Sequence, residues 1–126
     1  MKGEFVMKIM MLSWEYPPRV VGGISRVVHD LSHRLIKDGH EVTVVTYRDG
    51  NVPYVEDDNG VSVYRVDNFM ISPNNFIDWV MQLNFNMVAK AGEIIAKEGI
   101  FDVIHAHDWL VAYASKTLKT SYDIPL

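Results

Sequence analysis

The sequence predicts an α/β fold: a doubly wound, mainly parallel sheet with helices on both faces. Three observations predict it. Short apolar, β-branched runs alternate with longer segments whose apolar residues recur every three or four positions. A loop rich in proline and glycine joins the first run to the first of those segments. Gly39 closes that segment directly before the second run. Strand, glycine loop, helix, glycine stop and strand make a βαβ unit, with parallel strands and a right-handed crossover.

The elements follow in order. Lys8 to Trp14 (KIMMLSW) is a short apolar run that fits a strand buried on both faces. Glu15 to Gly23 (EYPPRVVGG) is a loop. Ile24, Val27, Val28, Leu31, Leu35 and Ile36 form one face of a helix. Glu41 to Tyr47 (EVTVVTY) is a second strand. Arg48 to Gly60 reads as a polar loop with turn signals at Asp49-Gly50 and Asn59-Gly60. Val61 to Val66 alternates as a third strand. Phe76, Val80, Leu83, Met87, Ala91 and Ile94 or Ile95 mark a second helix, with Ser72 as its cap and Gly99 as its stop. Phe101 to His107 is a fourth strand, and Trp109 to about Thr120 a third helix. Ile124-Pro125-Leu126 approaches a fifth strand. An unpaired sheet edge at that point leads us to expect a piece of a longer chain. Met7-Lys8 reads as a second start, with Met1 to Val6 as an appended extension.

Composition narrows the function classes. The chain has 126 residues, one domain's worth, with 48% hydrophobic and 22% charged residues. Its net charge of -4 argues against a broad nucleic-acid binder, which needs a surplus of lysine and arginine. It has no cysteine, which excludes disulfides and thiolate metal sites and fits a reducing cytoplasm. No apolar run is long enough for a membrane span or a signal peptide.

Two constellations carry candidate chemistry. The first is Glu15 to Gly23, which leaves the first strand at its carboxyl end, where open α/β sheets bind ligands. It feeds a helix N-terminus, whose free N–H groups favour an anion. Gly22 and Gly23 let a phosphate or sugar approach the backbone, and Arg19 adds charge. The competing reading is that the glycines only make a tight turn. The loop lacks both the G-x-G-x-x-G spacing of dinucleotide binders and a Walker loop, so a nicotinamide cofactor is disfavoured.

The second is His105-Ala106-His107-Asp108-Trp109. Strand alternation puts His105 and His107 on one side. His107 and Asp108 fall at the carboxyl end, where an imidazole can bond a sugar hydroxyl or a phosphate. Asp108 alternatively caps the next helix. A structural, buried imidazole suits His105 better than His107. A metal is not expected, because residues two apart on a strand converge poorly on one ion and no H-E-x-x-H helix is present. Trp14, Trp79 and Trp109 can stack on a sugar ring, although Trp79 reads as core. His29, His33 and His40 read as surface or helix-end residues, and Asn74, Asn75, Asn84 and Asn86 as mostly solvated.

Together these stretches resemble the N-terminal half of retaining glycosyltransferases of the GT-B type, especially the glycogen/starch synthase and sucrose-synthase-like families. The matching residues are Ser13-Trp14-Glu15-Tyr16-Pro17-Pro18, Val21-Gly22-Gly23-Ile24, Gly39-His40-Glu41-Val42 and Asp102-Val103-Ile104-His105-Ala106-His107-Asp108-Trp109. The resemblance implies a Rossmann-like, acceptor-side domain, one half of a GT-B fold, spanning residues 1–126. It also implies a separate C-terminal domain that binds the donor nucleotide and is not in this chain.

By resemblance, His107 is the catalytic candidate. Gly22, Gly23 and Asp108 are the substrate-binding candidates it implies, and the residue reading adds Arg19 and Trp109, with no metal and no cofactor beyond a nucleoside-diphosphate sugar. The reaction implied is transfer of that sugar to the hydroxyl of a carbohydrate or lipid-linked acceptor with retention, by an enzyme of the cytoplasm or the inner membrane face. This chain alone is expected to be inactive. Val20 stands where glycogen synthases carry a lysine, which favours UDP- or GDP-sugars over ADP-glucose. The alternative is a stand-alone flavodoxin-like module that binds a nucleotide or another ligand.

Overall fold

The computed structural model describes residues 6–68 and 76–126. The expected cap Ser72, and Asn74 and Asn75, lie outside the described residues. Five strands and three α-helices follow the order β1 (Lys8–Leu12), α1 (Ile24–Lys37), β2 (Glu41–Tyr47), β3 (Val55–Asp58), β4 (Val61–Val66), α2 (Phe76–Glu98), β5 (Val103–Ala106) and α3 (Ala112–Tyr122). A 3₁₀ turn, Trp109–Val111, leads into α3, so the third helix opens more tightly than its apolar pattern implied.

The strands form one sheet in the order β3-β4-β2-β1-β5. β1 pairs in parallel with β2 and β5, and β2 in parallel with β4. Alternation along the strands sends side chains to two cores. Ile9, Met11, Val42, Val44, Val61 and Val63 meet Val28 of α1 on one face. Met10, Leu12, Val45 and Ile104 meet Leu83, Met87, Ala114 and Leu118 of α2 and α3 on the other. The fold is therefore the doubly wound α/β arrangement. Leu83, Met87 and Leu118 are fully buried. Truncating any one of them to alanine removes about 2–5 kcal/mol.

α1 ends as the glycine stop implied. Gly39 has a φ of 98°, its N–H donates to the Ile36 carbonyl, and the His40 N–H donates to the Leu35 carbonyl. This is a Schellman cap, whose left-handed residue favours glycine. Along the expected apolar face of α1, Val27 departs: it is 54% exposed, while Ser25 and Ser32 are buried in its place. Small side chains let the helix sit close to the sheet.

The stretch read as a loop contains a strand. β3 pairs antiparallel with β4, and Asn59 and Gly60 join them with φ values of 51° and 99°. Two successive positive φ values make a type I′ turn, the connection that matches strand twist. β3 reads VEDD and lies at the sheet edge, so it shows none of the apolar alternation used to find the others. The Asn-Gly pair was the one local signal for it.

Asn84 corrects a second expectation. It is fully buried, and its amide donates to the Val80 and Leu110 carbonyls at 2.7 Å each and accepts from the Ala114 N–H at 2.8 Å. It ties α2 to the start of α3. Asn86 is half-buried and donates to the Asp67 carbonyl at 2.7 Å. At the chain's far end, the Pro125 carbonyl accepts from Ile104 of β5 at 2.8 Å. No helix among the described residues is long and apolar enough to cross a membrane.

Candidate functional site at the carboxyl rim of the sheet

β1 and β5 are parallel neighbours, with Leu12 opposite Ala106. The loop that follows β1 and the His107–Trp109 segment that follows β5 therefore leave the same rim of the sheet. The His107 N–H donates to the Leu12 carbonyl at 2.9 Å, extending the pairing one step beyond β5.

The glycine loop is organised by Glu15, a residue the sequence reading gave no role. Its side chain is 1% exposed. The carboxylate accepts from the N–H groups of Val21 at 3.2 Å, Gly22 at 3.3 Å and Ser25 at 2.7 Å. An internal anion thus takes up part of the donor set expected at the start of α1 for a ligand. The Ser13 hydroxyl donates to the Glu15 carbonyl, which fixes the turn out of β1. The only sequence cue to this role was a carboxylate between two aromatic residues, a few positions ahead of the helix.

Gly22 and Gly23 line a cavity of about 600 Å³ with Pro17, Val20, Arg26 and Val27, among others. A Cβ placed on either glycine would meet nothing within 4 Å. Gly23 caps α1 with a φ of -82°, and Gly22 is not in the left-handed region either. The turn itself therefore does not require glycine at either position, which weighs against the reading that they serve only to tighten it. Val20 and Val27, which line this cavity, are exposed, as is Val21 beside Gly22.

Arg19 is not a free charge. It forms an ion pair with Asp49, and its guanidinium lies 4.9 Å from the ring centres of both Trp14 and Tyr47. Cation–π attraction from two rings and a carboxylate hold it in place. Arg65, which the sequence reading passed over, is 2% exposed. It donates to Glu56 at 2.8 Å and to the Pro17 carbonyl at 3.1 Å, bracing the same loop from β4. An arginine in an alternating strand gave no local hint of burial.

After β5, the expected burial of the two histidines is reversed. His105 is exposed, whereas His107 is 8% exposed. Both lie on the α1 face of the sheet, where Met11 covers residue 107, and β5 is the last strand on that side. The His107 Nε2 lies 3.3 Å from the Met11 sulfur, and the two imidazoles stack at 4.2 Å. Burial first, and His105 second, lower the His107 pKa to about 4. The ring is neutral near pH 7. His107 does not line the cavity at the glycines.

Asp108 does act as a cap, accepting from the Trp109 N–H, as its alternative reading held. Its backbone sits at φ 76° and ψ 160°, a region almost confined to glycine. Trp109 is 61% exposed and meets the Phe76 ring edge-on at 6.3 Å. Phe76 in turn packs with Trp14 and Trp79. Trp79 is core-packed as expected, with Tyr47 at 5.1 Å.

Residues 8–125 match the family model of the starch synthase catalytic domain. The chain is 42% identical over 113 residues to an uncharacterised glycosyltransferase, MJ1607, of Methanocaldococcus jannaschii, covering 90% of this chain and 28% of that protein. It is 37% identical over 134 residues to a glycogen synthase of Mycobacterium tuberculosis, covering 95% of this chain and 32% of that one. The chain thus spans about a third or less of the length of these relatives. Among solved structures, a sucrose-phosphate synthase from Thermosynechococcus elongatus superposes with a TM-score of 0.72 at 20% identity, over 92% of this chain and 31% of that one. The catalytic domain of starch synthase IV from Arabidopsis thaliana, bound to ADP and acarbose, gives 0.69 at 18% identity, over 92% and 30%. Sequence match and fold agree: the chain belongs to the starch synthase catalytic domain family, and its sheet is the Rossmann-like N-terminal half of a GT-B glycosyltransferase fold.

Proposed function

We propose that this chain is the acceptor-side half of a retaining hexosyltransferase, acting with a donor-binding half elsewhere in a longer protein. The bond between the sugar's anomeric carbon and the nucleoside diphosphate breaks, and an acceptor hydroxyl oxygen takes its place with the same configuration. The hydroxyl proton leaves with the diphosphate. The observation that carries this reading is the glycine pair, open to a cavity and demanded neither by the backbone nor by any neighbouring atom. Glycine there leaves room for a diphosphate or sugar against the backbone. The exposed valines around it suit a surface covered by a second domain.

In this reading Glu15 pre-shapes the loop, so the remaining N–H groups at the start of α1 meet the diphosphate without reorganisation. Arg19 acts through its stacked, ion-paired position as a wall of the site rather than as a free counter-charge. His107 contributes as a neutral hydrogen-bonding ring to the transferred sugar, since a pKa of about 4 leaves no proton to donate at pH 7. Asp108 and Trp109 shape the acceptor side. The donor is a nucleoside-diphosphate sugar; Val20 at the cavity favours UDP- or GDP-sugars. The acceptor is a carbohydrate or a lipid-linked sugar, and the setting is the cytoplasm or its membrane face.

The test is transfer from labelled UDP-, GDP- and ADP-glucose by the full-length protein, with product configuration read by NMR. Turnover with retention is expected, together with at least a tenfold loss of kcat/KM in Gly22→Val. Absence of both turnover and nucleotide-sugar binding, or full activity in Gly22→Val, overturns the reading. Bound flavin would favour the flavodoxin-like alternative.

A further inference from the structure

His29 and His33 stand one turn apart on α1, so their rings share a face of the helix. The α1 end of the β3–β4 hairpin brings Asp58 against them. The Asp58 carboxylate oxygen Oδ2 lies 3.7 Å from His29 Nε2 and 3.4 Å from His33 Nε2. One donor atom from each of the three residues lies within 4.8 Å of the others. Four-coordinate zinc with bonds of about 2.0–2.2 Å separates its ligand atoms by about 3.3–3.6 Å. The two distances to Asp58 match that edge within a small side-chain adjustment.

The other ring nitrogens explain why both Nε2 atoms face inward. His33 Nδ1 lies 2.7 Å from the His29 carbonyl, and His29 Nδ1 lies 3.0 Å from the Asp30 carboxylate. A carbonyl and a carboxylate only accept, so each Nδ1 carries the proton. Carboxylate and carbonyl partners of this kind are what orient metal-binding histidines. The Tyr16 hydroxyl donates to Asp58 Oδ2 at 2.7 Å, orienting the third group as well. Hydrogen bonding alone gives a poor account of the inner side. His33 Nε2 faces two acceptors, the Asp58 carboxylate and, at 3.1 Å, the Asp58 carbonyl. His29 Nε2 faces the same carboxylate. Both carboxylate contacts, at 3.7 and 3.4 Å, are long for hydrogen bonds, and the two ring centres stand 4.0 Å apart. One divalent cation set among these three donor atoms accepts a lone pair from each.

We propose that His29, His33 and Asp58 form a binding site for a borderline divalent cation, with zinc the best fit and water completing the shell. The cation staples α1 to the β3–β4 hairpin. The ligand set of two imidazoles and one carboxylate suits zinc and its first-row neighbours rather than magnesium or calcium. The three side chains are 23–36% exposed, which leaves a path for the ion and the water. The site adjoins the glycine cavity, which His29 and its partner Asp30 also line, but it uses none of the residues assigned above to the sugar chemistry.

Calorimetric titration of the chelator-treated chain with zinc chloride at pH 7.5 is the test. One site of micromolar affinity or tighter is expected, weakening at pH 5.5 as protons compete for the rings. His33→Gln and Asp58→Asn each weaken binding at least tenfold, while His40→Gln and His105→Gln leave it within about twofold, and millimolar magnesium does not compete. Because a substitution can disturb the hairpin, the unaltered chain is also loaded with cobalt(II) and with zinc after ¹⁵N-histidine labelling. Four-coordinate cobalt absorption and shifts confined to the His29 and His33 ring nitrogens are expected. No stoichiometric zinc binding, binding that survives both His33→Gln and Asp58→Asn, or shifts located on His105 and His107 overturns the proposal.

Discussion

The carboxylate of Glu15 holds the N–H of Ser25 at 2.7 Å, reaching from the exit of the first strand to the first turn of α1. Through this contact a buried charge spans the glycine pair and sets the shape of the loop that faces the cavity.

Glu15→Ala removes the acceptor for Val21, Gly22 and Ser25. Hydrogen bonds to a charged group contribute about 1.5–3 kcal/mol each, but their sum is offset by rehydration of the freed N–H groups. A net loss of about 2–3 kcal/mol is expected by urea unfolding. Glu15→Gln keeps one acceptor and loses less. Equal stability of the Ala variant and the unaltered chain contradicts the assignment.

Gly22→Ala is expected to leave stability within about 0.5 kcal/mol, because the new methyl group meets nothing and the φ is allowed. In the full-length protein the same change lowers nucleotide-sugar affinity. A large stability loss would show instead that the glycine serves the turn.

The pH dependence of stability carries the signature of His107. Its folded pKa is lowered to about 4 from 6.5. Below pH 6.5 the unfolded chain binds this proton and the folded chain does not. The contribution is therefore complete above pH 6.5 and is lost as the pH falls towards 4, by up to about 3 kcal/mol. Urea midpoints from pH 7.5 to 4 should fall less steeply for His107→Gln than for the unaltered chain. Parallel curves would place the ring in solvent.

At Asp108 two effects separate by sign. Its φ of 76° is strained for any residue with a Cβ, and its carboxylate caps the 3₁₀ turn. Asp108→Ala keeps the strain and loses the cap; Asp108→Gly loses the cap but relieves the strain. The glycine variant is expected to be more stable than the alanine variant by about 1 kcal/mol in thermal or chemical unfolding. The reverse order rules out the strained backbone.

Asn84→Ala leaves the Ala114 N–H and the Leu110 carbonyl without this buried partner. A loss of about 2–4 kcal/mol is expected, with hydrogen exchange at the start of α3 accelerated before the rest of the fold.

The sequence by itself determined the α/β class, the βαβ opening, the order of most elements and the family. These rest on apolar period, glycine stops and motif order, which are local and survive without contacts. The Gly22-Gly23 loop and the His107-Asp108 segment were located at the ends of the right strands for the same reason. Only the tertiary structure decided which charges are free. Glu15, Arg19 and Arg65 are polar residues in loops or alternating strands, and their local patterns are those of solvated side chains. Partners beyond their own element or turn enclose them: the start of α1 for Glu15, Trp14 and Tyr47 with Asp49 for Arg19, and Pro17 with Glu56 for Arg65. The reversed burial of His105 and His107 has a similar cause. Both face one side of the same strand, and what separates them is that Met11 of the neighbouring strand covers one ring and leaves the other at the edge. Side-chain period assigns a face; burial on that face depends on what another part of the chain lays over it.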